Sequence, residues 1–340
     1  MPNGFDIPIP FLNESFHIFF YGIMIMLGVV AASILVSAEA KRRGQTPEIL
    51  WDMLIWVVIA GIIGARFWYV LNATLGGNNY YLTHPLDIIN IPQGGLHIFG
   101  AFLFGAIALL RYLRQNKLDP WLFLDAIGPA ALIGQGIGRL ANFINQELYG
   151  PPTSLPWGIP IQAEHRIGPY QDLSQFPVAT TRFHPTFAYE MLWNFVMAGV
   201  LLWLSRRYEK QLKPGTIFAG WLLAAGVGRT WIELFFRTDQ PLIPGVGISY
   251  SAVFAALMAI AGAVLLLARY KVIQPAFAED WEDEYRIRNR PETGAAVSAA
   301  EEPVEENTGA VKRTTRRTPA RRTTNAPRGT RRAERTKKSS

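Results

Sequence analysis

Seven stretches of this chain are apolar over about 20 residues each, near residues 16–38, 50–72, 94–113, 120–143, 186–205, 215–236 and 247–269. At about 1.5 Å per residue, a helix of that length matches the roughly 30 Å hydrocarbon core of a bilayer. Lipid offers no partner to a backbone amide, so each spanning segment must satisfy its own N–H and C=O groups. The pattern therefore predicts an all-α polytopic membrane protein with about seven transmembrane helices. Half of the 340 residues are hydrophobic, as such a protein requires. The opening MPNGFDIPIPFLNES lacks the basic start of a signal peptide and carries Asp6 and Glu14, so the first span is expected to stay attached.

Basic residues in short connections set an expected orientation, because such residues stay cytoplasmic. Lys41, Arg42 and Arg43 follow the first span, Arg111, Arg114 and Lys117 the third, Arg206, Arg207, Lys210 and Lys213 the fifth, and Arg269 and Lys271 the seventh. An odd number of spans puts all four clusters on one side. The N-terminus then faces outside, the C-terminus is cytoplasmic, and residues 144–184 form the largest outward loop. Residues 1–275 are read as one multi-pass membrane domain.

Residues 276–340 hold 15 of the 33 Lys and Arg and 11 of the 26 Asp and Glu, sorted into an acidic block and then a basic run. Low hydrophobicity with blocked charge predicts a disordered basic cytoplasmic tail. A solvated tail needs no partner; attraction to anionic lipid or to nucleic acid is the other reading of its charge. The chain has no cysteine, which excludes disulfides, thiolate metal sites and a cysteine nucleophile.

Ionisable side chains inside the spans are expensive, at about 2.5–3.5 kcal/mol each near a helix centre, and therefore point to function. Arg66 falls in the second span, Arg139 at the outer end of the fourth, Glu190 in the fifth, and Arg229, Glu233 and Arg237 in the outer half of the sixth. The last three are spaced i, i+4, i+8 and share a helix face. A locked ion pair is one reading. The other counts four guanidiniums against few carboxylates and sees a site for a phosphate, which planar bidentate donors hold well.

Arg139 belongs to the stretch GRLANFINQELYG, residues 138–150. Helical spacing places Arg139, Asn142, Phe143 and Gln146 on one stripe with Glu147 about a quarter turn away. Gly150, Pro151 and Pro152 form a helix stop, which leaves the buried arginine and asparagines unexplained by capping alone. Tyr21 is either a functional or an interfacial-belt tyrosine. His97 is either a base or a hydrogen-bonded structural histidine. The glycine-rich pieces at 61–66 and 94–105 read as close helix packing rather than nucleotide loops.

The stretch resembles the signature G-R-x-x-N-F-x-N-x-E-x-x-G of the prolipoprotein diacylglyceryl transferase family, matched at Gly138, Arg139, Asn142, Phe143, Asn145, Glu147 and Gly150. Supporting pieces recur in the family's order: FYG around Tyr21, GAR at 64–66, HP at 84–85, GGL at 94–96, HPTFAYE at 184–190 and GRTWIELFFRTD at 228–239. The resemblance implies a membrane enzyme that transfers a diacylglyceryl group from phosphatidylglycerol to the lipobox cysteine of a prolipoprotein signal peptide. Glycerol 1-phosphate is released at the outer face of the bacterial cytoplasmic membrane, with no metal and no organic cofactor. It implies that Arg139 and Arg229 bind phosphate, that Asn142, Asn145, Glu147, Gly150 and Arg66 serve the lipid, that Glu233 fixes Arg229, and that Tyr21 bonds lipid or thiol. No nucleic acid is required. Where many members carry a histidine this chain has Phe99, two positions after His97, so the base is His97 or a group elsewhere. Ala225 replaces a tyrosine often present in the family, and the spacing from Glu233 to Arg237 is one residue longer than in many members. An anionic-solute transporter is the competing class; it would need polar residues reaching both faces.

Overall fold

The computed structural model describes residues 4–9, 14–91, 94–237 and 240–286. Seven long helices run through them: α1 (Phe20–Arg42), α2 (Pro47–Leu75), α3 (Ile98–Gln115), α4 (Pro120–Ile144), α5 (Thr186–Arg207), α6 (Thr216–Phe235) and α7 (Tyr250–Arg269). Each corresponds to one of the apolar stretches. All but α6 are long and apolar enough to cross a membrane; α6 is less apolar because it carries Arg229 and Glu233. The protein is thus a membrane protein whose spans are helical.

The first span starts later than its hydropathy suggests. Residues Glu14–Phe19 form a strand paired antiparallel with Gly4–Ile9, Gly4 opposite Phe19 and Ile9 opposite Glu14. Apolar and polar residues alternate over 5–7 and 15–18, a period of two that suits a strand. His17 therefore lies in a hairpin and not in the first span.

The helices invert the soluble pattern. Along α1 the buried positions are Gly28, Ser33, Val36, Glu39 and Ala40, whereas Met26, Val30 and Ile34 are exposed. Small residues let backbones approach where lipid supplies no hydrophobic drive to pack. In the α2–α3 pair a Cβ on Gly100 would collide with the Gly64 carbonyl and the Trp68 side chain. Gly28 of α1 and Gly134 of α4 meet in the same way.

Helix α4 is the hub, packing against α1, α5 and α6. Half of its most apolar stretch is buried, against 17–28 % in the other candidate spans. Asp119 caps its start by accepting the Trp121 N–H at 2.9 Å.

The basic connections gather at one end. Buried Glu39 of α1 accepts Arg42 Nη2 at 3.0 Å and Arg206 Nη2 at 2.8 Å, while Arg43 Nη2 donates to Ser205 at 2.8 Å. Asp125 of α4 accepts the Gly215 and Phe218 N–H groups at the start of α6, both at 2.7 Å, and the Tyr285 hydroxyl at 2.6 Å.

Residues 276–286 fold back onto this end. Trp281 packs edge-on against Trp121, Lys213 pairs with Asp283 at 2.9 Å, Arg269 donates to the Glu282 carbonyl at 2.5 Å, and the Arg286 N–H donates to Asp119 at 2.9 Å. Packing thus continues beyond residue 275, the expected end of the membrane domain. The remainder of the expected tail, 287–340, lies outside the described residues.

Candidate phosphate site among α4, α5 and α6

Three helices bring their ionisable side chains together at the end opposite the basic connections. Arg139 comes from α4, Glu190 from α5, and Arg229 and Glu233 from α6. Arg139 Nη2 donates to Glu190 Oε1 at 2.5 Å, and Arg229 Nη1 donates to Glu190 Oε2 at 3.0 Å. One carboxylate therefore holds two guanidiniums, each by a charge-assisted bond. Arg229 Nη2 pairs with Glu233 at 2.5 Å, as the i, i+4 spacing predicts, and Arg237 lies 3.7 Å from the same oxygen. Ser249, which caps α7, donates to the other Glu233 oxygen at 3.1 Å. Neither arginine is sealed: their side chains are 21 % and 26 % exposed, so a ligand can reach both.

The end of α4 supplies the rest. Arg139 Nη1 donates to Asn142 Oδ1 at 3.0 Å, and Asn142 Nδ2 donates to Glu147 at 2.7 Å, with Asn145 Nδ2 at 3.4 Å from the same oxygen. Helix α4 stops at Ile144. Gln146 (φ 51°) and Leu148 (φ 56°) are left-handed, and the Glu147 N–H donates back to the Asn142 carbonyl at 3.0 Å. Gln146 is therefore not on the Arg139 stripe; its side chain accepts the Gln162 N–H at 2.8 Å. Gly150 fits where any side chain would meet the Phe236 carbonyl and Thr186, and its N–H donates to the His184 carbonyl at 2.9 Å. Beyond it, Tyr149, Ile161, Tyr170 and Phe183 form a small core that fixes the long loop.

Other expected site residues stand apart. Arg66 is buried and donates to four carbonyls of the α2–α3 connection, those of Asp87, Ile88, Gly94 and Gly95, at 2.5–3.0 Å. It ties down that connection and shares no contact with Arg139. His97 stands at the start of α3 without a side-chain capping bond, stacks on Phe99 at 5.4 Å, and keeps a buried ring nitrogen, Nδ1, that bonds nothing among the described residues. Tyr21 lies in the first turn of α1, 42 % exposed.

The expected excess of positive charge needs revision. Glu190 joins Glu233 against Arg139, Arg229 and Arg237, Glu147 stands behind Asn142, which accepts from Arg139, and Arg66 is elsewhere. Glu190 is the residue whose part sequence reasoning missed. Its signal was plain, an acid inside an apolar span, but only the packing of α5 against α4 and α6 shows what it bridges.

These helices and this cluster define a polytopic membrane protein with a braced arginine pair open at one end of its bundle. The family model for prolipoprotein diacylglyceryl transferase matches residues 8–268. The chain is 39 % identical to a phosphatidylglycerol–prolipoprotein diacylglyceryl transferase of Chloroflexus aggregans, over 67 % of this chain and 75 % of that one. It is 39 % identical to one of Leifsonia xyli subsp. xyli over 78 % of each, and 33 % identical to one of Frankia alni over 83 % and 72 %. The chain belongs to the prolipoprotein diacylglyceryl transferase family.

Proposed function

We propose that this protein transfers the diacylglyceryl group of phosphatidylglycerol to the lipobox cysteine of prolipoprotein signal peptides, and that the Glu190-braced pair, Arg139 and Arg229, holds the phosphate. The thiol sulfur attacks the glycerol carbon that carries the phosphate ester. A C–S bond forms, the C–O bond breaks, and glycerol 1-phosphate leaves with the bonding electrons.

The observation that carries this reading is the shared carboxylate. Glu190 fixes two guanidiniums side by side, and both side chains stay partly exposed, so a phosphate can reach them. A phosphodiester carries one negative charge and the departing phosphate a second. Donors already oriented stabilise that growing charge without reorganising. Because the acids offset the arginines, the site does not hold its product as tightly as bare guanidiniums would; binding is kept for the transition state.

Asn142, braced by Glu147, orients the headgroup beside Arg139, with Asn145 and the Gly150 turn shaping the same wall. Glu233 positions Arg229, and Tyr21 meets lipid or thiol. A thiol of ordinary pKa, about 8.5, must lose its proton to react. His97, with its uncommitted ring nitrogen, is the proposed acceptor. The cluster faces the outer surface of the bacterial cytoplasmic membrane, with the basic end and the C-terminus inside; the four basic connections support this orientation.

Purified protein, phosphatidylglycerol and a lipobox peptide test the reading. The peptide should gain the mass of a diacylglyceryl group as glycerol phosphate appears. An unmodified peptide, with a known family enzyme active alongside, would refute the assignment.

A further inference from the structure

The lipid-facing side of α5 carries a second feature far from the braced arginines. Gly199, Leu202, Trp203, Arg206 and Arg207 line a recess of about 500 Å³. Residues 199, 202, 203 and 206 are spaced i, i+3, i+4, i+7 and so lie on one face. Sixteen residues separate Glu190 from Arg206, which places the recess about 24 Å along the helix axis. It lies at the level of the opposite leaflet.

The recess does not serve packing. A Cβ on Gly199 would meet nothing within 4 Å, and Trp203 is 56 % exposed. Its charge is open as well. Arg207 lies over the Tyr208 ring at 5.4 Å and makes no hydrogen bond or ion pair among the described residues. Arg206, which also lines the recess, uses Nε and Nη2 on Glu39 and leaves Nη1 without a hydrogen bond among the described residues. The neighbouring acid, Glu209, is paired with Arg42 at 2.5 Å.

An apolar floor below two guanidiniums at the bilayer boundary matches a lipid with a negative headgroup. We propose that this recess is a binding site for an anionic diacyl phospholipid, separate from the lipid that reacts. The phosphate sits between Arg206 and Arg207, and an acyl chain lies over Gly199 and Leu202 against the Trp203 ring. Each arginine near such a headgroup contributes about five-fold in affinity.

Native mass spectrometry of the full chain in detergent, titrated with phosphatidylserine, reads the site by lipid count and does not depend on turnover. At a lipid concentration about twice the wild-type Kd, wild type should be about two-thirds occupied and Arg207→Gln, weakened about five-fold, about one-third. Arg207→Gln should retain turnover, which shows that it is folded. Trp203→Ala should lose the same lipid, and Arg206→Lys, which keeps the charge, should retain it. Phosphatidylcholine should not fill the site, and millimolar inorganic phosphate should not displace the lipid. Equal uptake by wild type and Arg207→Gln, equal uptake of phosphatidylcholine, or displacement by free phosphate would overturn the proposal.

Discussion

Glu190 accepts from Arg139 and Arg229 at once, so its removal leaves two guanidiniums without the group that aligns them. Glu190→Gln keeps the shape and halves the charge-assisted contacts. The expected result is a fall in kcat on the order of 100-fold, the scale at which misplacement by about 1 Å is felt. Steady-state kinetics on the purified variant checks this. His97→Gln should lower kcat severely while leaving lipid binding in place; a near-normal rate would move proton acceptance to another group. At this scale the sequence was informative about identity and poor about partnership. Arg139, Arg229 and Glu233 stand out as charges in apolar spans, and the i, i+4 pair of α6 follows from periodicity. The Glu190 bridge joins residues 39 and 51 positions apart, and no local pattern encodes it. Arg66 looked equivalent to Arg139 by position, yet its donors go to four carbonyls that only the folded α2–α3 connection presents.

Helix–helix contacts here depend on missing side chains. Gly100 sits against the Gly64 carbonyl, so Gly100→Ala forces α2 and α3 apart at a cost of about 1–3 kcal/mol. Thermal unfolding in detergent should show the loss, whereas an alanine at exposed Gly199, with open space around it, should be neutral. The spans were legible because length and hydropathy are set by the bilayer. Their ends were less so, since hydropathy does not report hydrogen bonding. Residues 16–19 extend the first apolar run yet pair as part of a strand, and the turn after Ile144 takes Gln146 off the helix before Gly150 and the prolines are reached.

At the basic end the chain after α7 closes over α4 and α6, and its electrostatics respond to pH from both sides. Burial and the nearby Asp125 raise the Tyr285 hydroxyl far above its ordinary 10.0. That contact is fully present below pH 10 and weakens as the pH rises past it, where an unfolded tyrosine would ionise. Lys213 holds Asp283 below its ordinary 3.8. This pair contributes above that value and is lost on acidification through the lowered one. Limited proteolysis near residue 286 should therefore be slowest at neutral pH and quicken above about pH 10, and Tyr285→Phe should remove most of the alkaline effect. A chain cut after residue 291 should keep full turnover, while a cut after 275, which removes Trp281 and Tyr285, should unfold at lower temperature. Composition marked 276–340 as one charged block; three aromatic residues within 276–286 were the unread sign that its first part packs. The whole arrangement places a braced arginine pair at one end of the bundle and a packed basic end at the other. The most direct test is the rate of glycerol phosphate release from phosphatidylglycerol by Arg139→Ala and Arg229→Ala, each purified and shown to be folded. Losing either positioned donor should cost on the order of 100- to 1,000-fold in kcat. A rate near wild type in either variant would contradict the assignment of the phosphate to this pair.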